Sequence, residues 1–151
     1  MDNNAFLTVK MWIVGICTAF TAAFGWIGWL MVAFVLCMAV DYITGSCAAA
    51  KAGKWSSHAA RDGLWHKAGM IAGVMVAAGL DFVIHLLLTH IPAIALPFEY
   101  KTLVAPIAVC WYVLTELGSI VENAAALGAP IPPFLRKTLE VLTAKLDDPA
   151  K

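Results

Sequence analysis

The sequence predicts an all-α fold: a polytopic transmembrane helical protein with four spans and a C-terminal amphipathic helix, expected to form oligomers. Three observations carry this. Hydrophobic residues make up 62% of the 151 and charged residues 13%, whereas soluble domains run near half apolar and a quarter charged. Mean hydropathy is +0.82. Long apolar stretches recur along the chain, and a hydrocarbon core about 30 Å thick needs roughly 20 helical residues.

Lys10 and Asp41 bound thirty residues without a formal charge. That is too many for one upright span and too few for two clean ones. Gly25-Trp26-Ile27-Gly28 resolves the conflict. Two glycines weaken the helix there, and Trp26 and Trp29 suit a membrane interface. The first span is placed at about residues 6–24, with Lys10 snorkelling at its end. The second covers about 27–50 and carries Asp41. The third covers about 64–88 and contains Asp81 and His85, and the fourth about 102–126, with Pro106, Glu116 and Glu122. The outer connection, about 89–101, holds Pro92 and Pro97 and is expected to lie in the interface. Residues 1–128 thus form a transmembrane domain. Residues 129–151 form a cytoplasmic helix and tail: the prolines at 130, 132 and 133 stop the fourth span, and Pro133 suits the first position of a new helix. Leu135, Leu139, Leu142 and Leu146 repeat at 4-3-4 spacing among Arg136, Lys137, Glu140 and Lys145. Too short and too charged to span, this helix is expected on the inner surface, or paired with copies of itself.

Charge sets the orientation. Lys51, Lys54, Arg61 and Lys67 stand against one acid, Asp62, between spans two and three. By the positive-inside rule that basic loop is cytoplasmic. Four spans then place both termini inside, with nine of the ten Lys and Arg on that side and Lys101 outside. Three spans, with residues 11–40 as one tilted helix, would put Lys10 outside instead. Formal net charge is zero, so no field points to nucleic acid. The four cysteines, Cys17, Cys37, Cys47 and Cys110, lack metal-ligand spacing and read as small buried hydrophobes.

The candidate functional residues are those that should not be in lipid, because intramembrane polar groups face a bundle interior or water. In the fourth span Tyr112, Thr115, Glu116, Ser119, Glu122 and Asn123 recur at helical spacing as one polar stripe. In the second, Asp41, Thr44, Gly45 and Ala48 make a small-and-polar face; in the third, Gly69, Gly73, Ala77, Asp81 and His85 do the same. Small residues permit close helix contact and polar ones bond across helices. Asp81 and His85, one turn apart, can pair. Glu122 and Asn123, at the inner helix end, are within the expected reach of Lys67 or Arg61. Structural hydrogen bonding within one subunit and the lining of an aqueous pore are both open to Asp41 and Glu116. No phosphate loop, metal-ligand pair or nucleophile beside a base is present, so neither an enzyme nor a cofactor is implied. A small proton-coupled transporter and a structural membrane partner are the competing classes.

Asp41-Tyr42-Ile43-Thr44-Gly45 resembles the corresponding motif of the phage lysis and toxin-secretion holins. Matches follow in order: Ser56-Ser57, Gly63, Lys67, Asp81, then Glu116-Leu117-Gly118-Ser119-Ile120-Val121-Glu122-Asn123, Gly128 and the segment 130–133. The resemblance covers about residues 10–135. It implies a multi-pass protein of the bacterial inner membrane that oligomerises into lesions. Through these a muralytic endolysin, or a toxin in secretion-adapted relatives, would leave the cell. An antiholin partner is also implied as a possibility. Met11 directly follows Lys10, and an internal start there would give a shorter product without that charge, matching the paired products known among holins.

Overall fold

The computed structural model describes residues 3–91 and 100–147. The expected connection at 89–101 therefore falls largely outside the described residues. Four helices follow in order: α1, Asn3–Lys51; α2, Ser57–His90; α3, Val104–Leu127; and α4, Pro133–Asp147. The first three are long and apolar enough to cross a membrane.

At 49 residues α1 would be about 73 Å long if straight, more than twice a hydrocarbon core. It is not straight. Gly25 has φ 59° and ψ −153°, a region essentially reserved for glycine. The bend folds Phe20 and Thr21 back toward the next segment. The Phe20 ring meets Trp29 at 5.2 Å between centroids, and Trp29 Nε1 donates to Thr21 Oγ1 at 2.8 Å. A straight helix would hold residues eight apart about 12 Å from each other. The predicted break is thus where the sequence placed it, and Trp29 braces it from within the chain. Beyond the bend, residues 5–16 are exposed throughout.

The remaining three helical segments, 26–51, 57–90 and 104–127, form the bundle. Phe34 and Met38 of α1, Met70 and Val74 of α2 and Val109 of α3 make its apolar centre. Tyr112 stacks on Phe34 at 5.9 Å. Its hydroxyl sits over Gly73, where any methyl group would collide with it. The bundle is one helix deep, so large apolar side chains such as Val35, Met75, Phe82 and Ile107 stay on the outside. In lipid this is the solvated face. The same geometry corrects the reading of the cysteines: Cys47 is exposed and the other three only half-buried.

α3 is the hub, and its neighbours cap both of its ends. Its own N-cap residue, Leu103, offers no side-chain bond. Asp81, buried in α2, supplies it instead. Oδ1 accepts from the Leu103 and Val104 amides at 3.0 and 2.9 Å, and Oδ2 from Ala105 at 2.7 Å. Tyr100 also donates its hydroxyl to Oδ1, and that bond pushes the phenol above its ordinary pKa. Asp81 therefore does not pair with His85, which is exposed. Four donors at a helix start prevail over a histidine one turn away, and the anion also complements the positive end of the dipole. At the other end Gly128 takes the left-handed conformation, φ 97°. Lys51 Nζ donates to the Leu127 and Ala126 carbonyls at 2.7 and 3.3 Å.

Both the cap and the bend can be tested by substitution. In detergent the unaltered chain should be the most stable, Asp81→Asn less so and Asp81→Ala the least, because the amide keeps one acceptor oxygen and the methyl group none. The full loss should be about 2 kcal/mol by the usual worth of a cap, read from denaturant titration; equal stability of all three chains would contradict the cap. Gly25→Ala meets no atom, so it acts on the backbone alone, at about 1–3 kcal/mol if the bend is kept. Spin labels on Cys17 and Cys47, with Cys37 and Cys110 replaced by Ala, should move apart toward the roughly 45 Å of a continuous helix. An unchanged distance would mean that the bend does not depend on glycine.

Candidate functional site

Along α1 Asp41 lies ten residues before Lys51, along α2 Lys67 lies ten after Ser57, and along α3 Glu116 lies eleven before Leu127. At 1.5 Å per residue each sits about 15–17 Å from the same end of the bundle. Three charges from three helices thus share one level, a depth that would fall near the middle of a hydrocarbon core beginning at that end. Lys67 Nζ donates to Asp41 Oδ2 at 2.8 Å and to Glu116 Oε1 and Oε2 at 2.8 and 2.6 Å. The side chains of Lys67, Asp41 and Glu116 are 12, 19 and 4% exposed, so an ammonium with three protons satisfies two carboxylates almost out of solvent. The cluster keeps one net negative charge when all three groups are ionised.

Asn123 completes the arrangement. Its Nδ2 donates to Asp41 Oδ1 at 3.0 Å and reaches Thr44 Oγ1 at 3.3 Å. Thr44 turns its own hydroxyl proton back to the Val40 carbonyl at 2.8 Å. Gly45 allows the approach, since a methyl group there would stand 3.3 Å from the Asn123 amide nitrogen. Among the described residues no buried side-chain nitrogen or oxygen lacks a partner. Full pairing matters in lipid, where one unpartnered acid at mid-span costs about 2.5–3.5 kcal/mol on insertion scales. Below the cluster a cavity of about 500 Å³ opens toward the loop between α1 and α2. Ser119, Glu122, Asp62 and His66 line it together with Asp41 and Lys67.

The polar residues singled out from the sequence divide into distinct groups. Asp41, Thr44, Gly45, Glu116 and Asn123 meet directly. Ser119 lines the cavity beside them, and Glu122 is exposed at its edge. Thr115 lies on the other side of α3, its hydroxyl bonded to the Trp111 carbonyl at 2.9 Å. Asp81 and His85 stand at the opposite end of the bundle. The basic residues divide as well. Lys54 and Arg61 are exposed, Lys51 caps α3, and Lys67 is the hub of the ion cluster. Its expected place in a basic loop near Glu122 and Asn123 is corrected by the early start of α2 at Ser57. That start, capped by Ser56 Oγ on the Ala59 amide at 3.1 Å, puts Lys67 in the helix's third turn, facing inward. The signal was present: Ser56, followed by a run without proline, is a helix start.

α4 does not stand apart. It folds back antiparallel along α3, and Trp111 Nε1 donates to Asp147 Oδ1. A second cavity, about 490 Å³, runs between the two helices. Trp111 thus meets α4 as well as Tyr112.

Comparison with known proteins agrees with this architecture. The chain is 30% identical to an uncharacterized protein of Clostridium perfringens (strain 13 / Type A), over 92% of this chain and 93% of the relative. It is 29% identical to an uncharacterized 14.9 kDa protein of the nagH 3' region of Clostridium perfringens, over 95 and 98%. An uncharacterized protein of Halalkalibacterium halodurans shares 30% identity over 68 and 70%. No solved structure matches significantly. The sequence profile of the bacteriophage holin family matches residues 18–144, which takes in the bend, the ion cluster, both caps of α3 and most of α4; this integral membrane protein belongs to the bacteriophage holin family.

Proposed function

We propose that this chain accumulates in the bacterial inner membrane as a four-span protein with both termini in the cytoplasm. There it oligomerises into lesions that release an endolysin or a secreted toxin. The observation that carries the reading is the Lys67–Asp41–Glu116 cluster at mid-membrane depth. An ion cluster in a bundle core is often no more stabilising than apolar residues of the same volume, so its presence supports a role in addition to fixing the register of one subunit. Helices that hide such groups by pairing them within a subunit can pair them between subunits, or turn them to water, in an assembly. That is a two-state element whose balance shifts with protein concentration. The cavity beside the cluster supports access of water to it. A proton-coupled transporter would use a free deep carboxylate, whereas Asp41 and Glu116 are both engaged.

The bend supports four spans. Split at Gly25, α1 gives segments of about 22 and 26 residues, each sufficient to cross. The basic residues Lys51, Lys54, Arg61, Arg136 and Lys137 gather at the ends of α1 and α3 and the starts of α2 and α4, which supports that end as cytoplasmic.

Single cysteines placed at residues 3 and 147 of a cysteine-free chain should both react only after the inner membrane is opened. Labelling of residue 3 alone from outside would reduce the count to three spans. In an inducible strain, membrane potential and leakage of a folded cytoplasmic enzyme should collapse abruptly together; loss of potential alone would mean a small pore. Lys67→Met strands two buried acids and should lower stability by about 3–5 kcal/mol. Adding Asp41→Asn and Glu116→Gln should restore most of the protein level. Glu116→Leu and Glu122→Leu should each shift lysis timing at normal protein level. Wild-type timing for both would reject the polar-interior reading.

A further inference from the structure

The position of α4 conflicts with a purely lipid surrounding. α3 runs from Val104 to Leu127, and Asp147 touches Trp111, sixteen residues back from its inner end. That places the tip of α4 about 24 Å along α3, most of the way through a hydrocarbon core. Yet Arg136, Lys137, Glu140, Lys145 and Asp147 are all exposed on α4. The first two are close enough to the inner end to snorkel, and Lys145 is close enough to the outer one; Glu140, about 14 Å along α3, reaches neither. The seam itself mixes charged and hydroxyl groups with Leu114, Val121 and Leu139. Its 490 Å³ cavity includes Thr115, Glu122, Glu140, Thr143 and Asp147, enough polar partners and room for waters. Docking also uses only part of the leucine stripe: Leu139 and Leu146 are half-buried, while Leu135 and Leu142 stay exposed beside Phe134 and Val141. A membrane surface would bury all of them at once. The link between helices, Gly128 with φ 97° and the four residues after it, suits a pivot.

We propose that α4 lies along α3 only where the outer side of that pair faces water. The α3–α4 hairpin then lines the aqueous space of an assembly of several copies of this chain, whereas in a subunit surrounded by lipid α4 swings to the cytoplasmic surface. This rests on the lesion-forming reading above and adds to it which face of the subunit meets the lumen.

The test uses the full chain with its four native cysteines replaced by alanine, in cells whose potential and enzyme leakage are followed. Gly118→Cys and Thr143→Cys, which both line the seam, are cross-linked with a short bis-maleimide before and after leakage begins. Gly118 has open space around it, so the substitution is mild. Cross-linked product should rise about fivefold or more once the lesion opens, the readout of a shift from the undocked to the docked state. Independently, Leu142→Cys should be protected from an impermeant maleimide added outside before leakage and labelled after it. Equal cross-linking before and after, or lesions in which residues 118 and 143 never cross-link, would overturn the proposal while leaving the parent reading intact. Cells that never leak would remove both.

Discussion

Lys67 sets the register of the whole bundle. Its ammonium binds Asp41 and Glu116 at once, and those three residues come from three helices. A slide of any one helix by a turn, about 5.4 Å, would strand a charge in an apolar surrounding. The apolar contacts among Phe34, Met70, Val74 and Val109 lack this discrimination. Lipid tails are as apolar as the side chains, so burial from lipid offers little driving force. Van der Waals packing and paired polar groups must do the ordering. The fixed register then brings Gly73 under Tyr112 and Gly45 under Asn123.

Neighbouring helices also reinforce the ends of α3, whose N-cap Leu103 has no side-chain bond and whose C-cap is Gly128. Its ends are closed by Asp81 from α2 and Lys51 from α1. Each is charged oppositely to the end of the helix dipole that it meets. With the ion cluster between them, α3 is held at three levels by groups on its two neighbours. Its contacts with α4 are of another kind, an indole–carboxylate bond, a cavity, and the half-buried Leu139 and Leu146. The chain thus joins a tightly keyed trio of helical segments to two elements held less firmly, the segment before Gly25 and the helix after Gly128.

Single-helix properties were legible in the sequence and cross-helix pairings were not. Absence of charge marked the apolar helices, two glycines beside a tryptophan marked the bend, and three prolines marked the end of the third apolar helix. Periodicity found the residues of the α3 stripe, but as one stripe. In the fold Glu116 and Asn123 face α1 and α2, while Thr115 faces α4. A residue only one position away points some 100° around the helix, and which neighbour it meets depends on packing. Charge counting groups Lys67 with Lys51, Lys54 and Arg61 in the basic loop; Arg61, Asp62 and His66 instead occupy the wet flank of a helix that turns Lys67 inward. Asp81 was matched with His85 because local spacing reveals i and i+4 partners, whereas the amides it binds lie more than twenty residues ahead.

Complete pairing has a kinetic meaning. Separating α2 from α3 takes Lys67 from Glu116, and separating α1 from α2 takes it from Asp41. Either step alone leaves an unpaired charge at mid-membrane depth, where the cost is several kcal/mol. A subunit surrounded only by lipid has no replacement partner, so its bundle resists opening. A second copy carries the same ammonium and the same two carboxylates at the same level, and it can accept the freed groups without any remaining unpaired. Under the proposed lesion-forming role, the ion cluster that stabilises the isolated subunit against rearrangement would also make rearrangement depend on neighbours, and hence on how many copies the membrane contains.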